Sequence, residues 1–528
     1  MNSFGGCGKM KKSLKGSDRM EKLYNNILLS EDFGTEPSDA QNIPYLKNPP
    51  DVINVTVGRQ LFVDDFLTEE TDLQPEYHKA KKFEGNPILF PQTPWETEGS
   101  PVACPKSGGV WYDEEEKLFK MWYEAGWLHQ MCYAVSKDGI HWERPALDLE
   151  PGTNKILTYE GYVPEKYSDG LEYLRPDSTT VWIDAQAPKE ERYKLFLRNP
   201  GGESPGIVAV SADGIHFDRF RFTTGVFDRS TVFYNPFRKK WVYSIRSIRK
   251  AETWWRIRHY RECEDYLEGA KWTPEEEFMW LECDEADRPA PYIGFPPHLY
   301  NVDCVGYESI MLGMFQIMYG PENELCERRG VPKITELMPM YSRDGYHFSR
   351  PCRESFIPAS MYQGAWDRGY VQSVGGVTVI HGDELWIYYI GFAGDETKCT
   401  DSWRTNGMYC NGATGLAKLR RDGFVSMNGT GSLLTRKLEF TGKTGLCINA
   451  QGRVTVEFCD ENGNALDRAT PFCGDSTKAM VEFSSVKISD WNGKVCRLRF
   501  EVDGKLYSFG FTDATGDCGG AHAAGRIE

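Results

Sequence analysis

The heptapeptide SKDGIHW at Ser136–Trp142 returns as SADGIHF at Ser211–Phe217, as SRDGYHF at Ser342–Phe348 and, worn down, as RRDGFVS at Arg420–Ser426. A unit repeated at fixed spacing constrains a fold strongly, because each copy must pack on its neighbours in the same way. Measured at the aspartate, the copies stand at residues 138, 213, 344 and 422, leaving gaps of 75, 131 and 78 residues. The middle gap holds two units, with CEDYLEGAKW at Cys263–Trp272 as a degraded copy. Five units of roughly seventy residues therefore run from about residue 85 to 425.

Each unit carries the same flanks. GGVWYDEEEKLFKMWYEAG and QMCYAV before the first copy read as strand, acidic turn, strand, loop, strand, and the Asp-Gly pair then turns the chain into a fourth strand. A four-stranded antiparallel unit repeated five times buries both its faces only by packing around an axis, so the fold class is all-β with a five-bladed β-propeller. The motif's Asp and Gly supply the turn and its aromatic packs between blades. A metal or catalytic cluster of His141, His216 and His347 is set aside, because equivalent turns of a propeller lie on its periphery, far apart.

The expected boundaries are a partly disordered or helical segment at 1–50, the propeller at 51–428 and a β-sandwich at 429–528. In the last, GRVTVEFCDENGNALD and KVCRLRFEVDGKLYSFGFTD alternate as strands joined by Asn-Gly and Asp-Gly turns. MEKLYNNILL from Met20 has an amphipathic helical pattern, the nineteen residues before it read as disordered or as preceding the true start, and the glycine-rich end ATGDCGGAHAAGRIE reads as frayed.

A formal net charge of -16, with no basic stretch to offset it, excludes nucleic acid and anionic membrane as partners. Fifteen cysteines, odd in number and scattered, form no CxxC framework, so neither a metal nor a disulfide scaffold is expected. No apolar run of signal-peptide or membrane-span length occurs, and a cytoplasmic location follows as the expectation. No GxSxG elbow, P-loop, HExxH or Rossmann glycine pattern appears, and no cofactor is expected. Aromatic residues make up 13% of the chain, as suits stacking on sugars. Self-association into a homo-oligomer is left open.

The residues that start each inner strand of a propeller face a common pocket. Unit one offers Trp95, Glu96 and Glu98; unit two Arg175 and Asp177; unit three Asp228 and Arg229, with Arg246 following; unit four His298, Tyr300 and Asp303; unit five Trp366, Asp367 and Arg368. Carboxylates, arginines and aromatics around one axis are what glycosidic bond cleavage requires: one carboxylic acid protonates the leaving oxygen while a second carboxylate attacks or activates water. The bland alternative is that these acids cap strands and pair with arginines of the rim.

Several segments carry a resemblance: GRQLFVDDFL at 58–67, NPIL at 86–89 followed by PWE at 94–96, LFKMWYEAG, SKDGIHWERP, FDRSTVFYN, SRDGYHFSRP, RRDGFVS and LYSFGF. Over most of its length the chain resembles the family 32-like glycosyl hydrolases, in the superfamily of five-bladed propellers that includes families 43, 68 and 130. The Asn-Asp-Pro-Asn-Gly nucleophile motif of true family 32 members is absent, so fructosidase activity does not carry over. The resemblance implies a base or nucleophile from the first blade, an orienting carboxylate from the second and an acid from the third, which map onto Glu96 (or Glu98), Asp177 and Asp228. Asp64 and Asp65 are alternatives for the first role, though strand capping accounts for them more simply. The remaining residues named above (Trp95, Arg175, Arg229, Arg246, His298, Tyr300, Trp366, Asp367 and Arg368) are the expected substrate contacts. The function expected is a glycoside hydrolase acting on a short oligosaccharide or glycoside. The alternatives are a family 130-type phosphorylase, whose phosphate the arginines and His298 would bind, and a non-catalytic carbohydrate-binding propeller.

Overall fold

A computed structural model describes residues 20–30, 33–35, 37–157, 176–198, 203–250, 254–320, 322–394 and 407–528. Arg175 and the nineteen N-terminal residues lie outside the described residues.

Five blades follow one another as the repeat requires. Blade 1 pairs Ala103–Cys104 and Val110–Asp113 with Leu118–Ala125, then Gln130–Ser136 and Lys155–Leu157; blade 2 runs Ser178–Ile183, Tyr193–Arg198, Ser204–Ser211, Phe217–Val226. Blade 3 runs Thr231–Asn235, Lys240–Lys250, Trp254–Cys263, Phe278–Leu281, so the degraded copy does mark a blade of its own. Blade 4 is built on His298–Glu308, Ile310–Gly320 and Ile334–Ser342, with its outer edge reduced to bridges at Ile357 and Ser349.

The repeated motif closes each turn from within itself. Asp138 Oδ1 accepts from the backbone N–H of Ile140 (2.9 Å) and His141 (2.8 Å) while Oδ2 meets His141 Nδ1 at 2.7 Å. Asp213 with His216 and Asp344 with His347 repeat the 2.7 Å contact. Ser136, Ser211 and Ser342 each accept from the N–H of the motif glycine at 2.9 Å. The motif's Ser, Asp and Gly are thus bonded within the turn, and each histidine meets the aspartate of its own turn. The neighbouring blade then docks on the turn: Tyr388 Oη donates to the Gly139 carbonyl (3.0 Å), Trp122 Nε1 to that of Gly214 (2.7 Å) and Trp280 Nε1 to that of Tyr346 (2.8 Å).

Blade 5 departs from the repeat. Its strands Gly369–Ser373 and Val379–His381, Glu384–Phe392 and Gly412–Arg420 are the chain's own, but the strand after the RRDGFVS turn, Val425–Thr435, leaves for the C-terminal sheet. The vacated edge is taken by Lys81–Lys82 from before blade 1. Lys82 Nζ locks that strand to blade 5 through Asp367 at 2.7 Å.

The C-terminal strands join into one eight-stranded sheet built on Gly445–Cys459 and Arg497–Thr512, and Ile53–Asn54 pairs with Leu438–Glu439 in a separate two-stranded ribbon. Gln60–Leu61, Thr68–Thr71 and Gln74–Tyr77, which the sequence reading groups with the propeller, pair inside this sheet. The two units bury separate apolar clusters, and Phe62, Phe66, Phe440, Phe500, Phe509 and Phe511 belong to that of the sheet.

Two local expectations are corrected. Met20–Lys22 and Leu28–Ser30 form a hairpin instead of a helix, because Asn26 takes a left-handed φ of 69° and Leu23 N–H closes on the Ile27 carbonyl at 2.9 Å. The glycine-rich end is not frayed: Ala521–His522 pairs with blade 4 and Arg526–Ile527 with blade 5, tying the C-terminus under the propeller. The longest helix among the described residues is Asn323–Arg329, in blade 4. No helix among the described residues is long and apolar enough to cross a membrane.

Candidate active site

The inner strands begin around one axis, and three residues there hold left-handed backbone: Lys106 of blade 1 (φ 46°), Arg229 of blade 3 (62°) and Tyr370 of blade 5 (53°). Bulky residues stay in that region only where their surroundings over-determine it, a condition common at binding and catalytic sites.

Arg229 sets the centre. Its NH2 meets Asp177 Oδ1 at 2.6 Å and the Asp177 carbonyl at 2.7 Å, while Arg198 NH1 reaches Asp177 Oδ2 at 2.5 Å. All three side chains are buried, so Asp177 is a carboxylate fixed between two guanidiniums.

Asp228 stands next to Arg229 in the chain and pairs with Arg246 at 3.3 Å, its side chain 31% exposed. Burial works to raise its pKa, but Arg256, Arg246, Arg229 and Arg198 together hold the carboxyl far below the usual range. A carboxyl ringed by guanidiniums is held toward its ionised form, an environment unlike that of the proton donor the sequence reading expects here.

Asp303, on the inner strand of blade 4, is the opposite case. Its pKa is pushed up to about 6, chiefly by burial and against hydrogen bonds from Ser373 and Ser107. Oδ2 accepts from Ser373 Oγ (2.5 Å), Asn301 Nδ2 (3.0 Å) and Ser107 Oγ (3.4 Å), which brings blades 1, 4 and 5 onto one oxygen. Beside it Arg258 bonds the carbonyls of Arg229, Ser244 and Tyr300 and the amide oxygen of Asn301, stapling the inner strands of blades 3 and 4. Both Asp303 and Asp228 act on the Arg258 charge.

Around this core lie a buried Lys106–Glu124 pair at 2.6 Å, with Lys106 Nζ over the Trp127 ring at 3.8 Å, and Tyr300, whose hydroxyl is 3.4 Å from that of Tyr370. Burial outweighs Lys106 at Glu124 and raises its pKa.

Of the residues expected from sequence, Asp177, Asp228, Arg229, Arg246, Tyr300 and His298 belong to this cluster. Glu96 does not. Buried in blade 1, it accepts from the backbone N–H of Gln92 (2.8 Å) and Thr93 (3.0 Å), from Tyr123 Oη (2.7 Å) and from Arg144 Nε (2.7 Å), capping the short helix Pro94–Thr97. Its two oxygens are thus engaged in holding this turn. Glu98 lies exposed at the end of that helix, and Trp95 is held by Asn154 at 3.0 Å. Asp367 holds Lys82, Trp366 packs on Tyr389 at 5.4 Å, and Arg368 Nε is buried without a hydrogen-bond partner among the described residues. Asp64 pairs with Arg343 at 2.8 Å and caps its own turn, as strand capping requires.

The residues not foreseen are mostly on second strands: Glu124 in LFKMWYEA, Arg198 in YKLFLR, and Arg256 and Arg258 on the third strand of blade 3. A charged residue closing an otherwise apolar strand was the available signal, since a buried charge needs a partner.

No family model matches the chain, and no curated protein matches it. Among solved structures, the chain is similar to an N-acetylgalactosamine deacetylase from F. plautii in complex with blood group B trisaccharide (14% identity, 68% of this chain and 96% of that one, TM-score 0.39). It is also similar to a thermostable family-43 glycoside hydrolase (11% identity, 65% and 97%, TM-score 0.41) and to the β-1,2-mannobiose phosphorylase from Listeria innocua (12% identity, 65% and 96%, TM-score 0.37). The five-bladed assignment rests on the strand pairing of the chain itself.

Proposed function

We propose that the axial pocket cleaves a glycosidic bond, with Asp303 carrying the proton and Asp228 acting as the ionised carboxylate. The observation behind this reading is that one axis holds two carboxyls in opposed environments, Asp303 pushed up to about 6 by burial and Asp228 held ionised by four arginines. Carboxyls whose pKa values are driven apart are the pair that acid-assisted glycoside cleavage needs. In the reaction the bond from the anomeric carbon to the leaving oxygen breaks, that oxygen takes the Asp303 proton, and Asp228 either attacks the anomeric carbon or removes a proton from the water that does. Asp177, clamped by Arg198 and Arg229, fixes Arg229 against both.

The test is turnover of a panel of aryl glycosides and oligosaccharides, with and without phosphate, by the wild-type protein and by Asp228→Asn and Asp303→Asn. Each variant should lose about a hundredfold to ten-thousandfold in rate while still binding sugar. Near-wild-type turnover in either variant removes that residue from its role. Sugar binding without turnover of any substrate by the wild-type protein would mark a binding propeller instead.

A further inference from the structure

Beside the axial carboxyls a cavity of about 330 Å³ opens, walled by Arg256, His298, Met318 and Lys333 and rimmed by Glu322 and Glu324. The wall is cationic and largely buried, with His298 and Lys333 each 4% exposed, while both glutamates of the rim are exposed to solvent. Among the described residues Lys333 has no carboxylate partner: its ammonium reaches Tyr409 Oη at 3.3 Å and lies 5.1 Å from the centre of the Tyr300 ring, which leaves N–H donors unused there. The buried Nδ1 of His298 has no hydrogen-bond partner among the described residues either. An ammonium taken out of water without a counter-charge is costly, so a fold that keeps one beside its pocket has a use for it.

Two neighbouring groups feel these cations. Burial works to raise the pKa of the Tyr300 phenol, yet Lys333, Arg256 and Arg229 overcome it and the net direction is downward. His298 is pushed down to about 4, by burial first and by Arg256 second. An acid made stronger against its own burial indicates positive potential at Tyr300, within a chain of net charge -16.

We infer that this cavity receives an oxyanion, a carboxylate, sulfate or phosphate group, with Lys333 as its charge partner and His298 as a further hydrogen-bonding neighbour. The oxyanion is either part of the sugar substrate or free phosphate. The inference rests on the axial pocket being the substrate site, but it can be measured without turnover. The acidic rim repels an approaching anion at long range; once inside, the anion faces Lys333 and Arg256 in a medium where charge-assisted bonds are stronger than in water.

The experiment is equilibrium binding by calorimetry, at fixed ionic strength, of inorganic phosphate, sulfate, glucuronate and galacturonate, with glucose and galactose as neutral controls. At least one oxyanion should bind and outcompete the neutral sugars. Lys333→Met should weaken that binding about tenfold or more, and Lys333→Arg should restore most of it. If Lys333→Met lowers the thermal midpoint of the free protein, His298→Gln serves as the second variant, with a smaller loss expected. Uronates binding without phosphate would place the charge on the sugar, whereas phosphate binding together with phosphate-dependent cleavage would identify free phosphate. Neutral sugars binding as tightly as uronates, no oxyanion binding at all, or unchanged affinity in a folded Lys333→Met protein would each overturn the inference. Oxyanion binding with no glycoside cleaved would leave this site standing and remove the proposed reaction; cleavage with no oxyanion binding would do the reverse.

Discussion

Replacing Asp303 with asparagine isolates what burial of this carboxyl costs. In the folded protein its pKa is about 6 against an ordinary 3.8, and two pKa units correspond to about 3 kcal/mol. Because the folded pKa lies above the unfolded one, the folded state binds more protons between pH 3.8 and 6. Stability is therefore lost as pH rises through that window, and the full penalty is present above about pH 6. Asparagine cannot ionise, and its carbonyl oxygen can take the place of Oδ2, which receives the bonds from Ser373, Asn301 and Ser107. Asp303→Asn should thus gain stability relative to the wild type by about 2.4 kcal/mol on going from pH 4 to pH 7, since the unfolded carboxyl is already more than half ionised at pH 4, whatever constant offset the substitution brings. Urea unfolding followed by tryptophan fluorescence at several pH values, comparing the propeller transition of the two proteins, reads this difference directly. A difference that stays flat to within about 0.5 kcal/mol across that range would show that Asp303 ionises normally and would remove the basis for its assignment as proton carrier.

If Asp303 does donate the proton, kcat/KM of the wild-type protein should fall as pH rises through about 6, and an unchanged rate to pH 8 would argue against it. Asp177→Ala leaves Arg198 and Arg229 buried without their shared carboxylate and should cost about 3–5 kcal/mol in thermal or urea unfolding, far more than Asp228→Ala, whose side chain is 31% exposed. Glu96→Gln should keep turnover while lowering the thermal midpoint, since its oxygens hold a helix start and Arg144; abolished turnover in a stable Glu96→Gln protein would return Glu96 to the active site. Gly345→Ala adds a Cβ about 2.0 Å from Asn235 Nδ2 at a φ of +83°, and should destabilise by about 1–3 kcal/mol. Gly152→Ala, at a φ of +85° with nothing within 4 Å, should lose less in the same melt.

The number of blades was legible in the sequence because each S-x-D-G-x-H turn satisfies its own hydrogen bonds: Asp138, Asp213 and Asp344 need only residues within three positions. Strand alternation is equally local, so the degraded copy at Cys263–Trp272 could be placed by spacing alone. What required the tertiary structure was any pairing between distant segments. Lys81–Lys82 completes blade 5 because Val425–Thr435 is drawn into the C-terminal sheet, and no local pattern distinguishes that exchange from a blade that closes with its own strand. The site divided in the same way. Sequence position brought Asp177, Asp228 and Arg229 to the axis, but their chemistry depends on charge gathered from several blades. Glu96 and Asp303 are both buried carboxylates, yet Arg144 and the start of its own helix satisfy one, while the other meets three neutral donors and burial raises its pKa to about 6. A residue's identity is a local fact; the sum of charge and burial around it exists only once the blades have closed on one another.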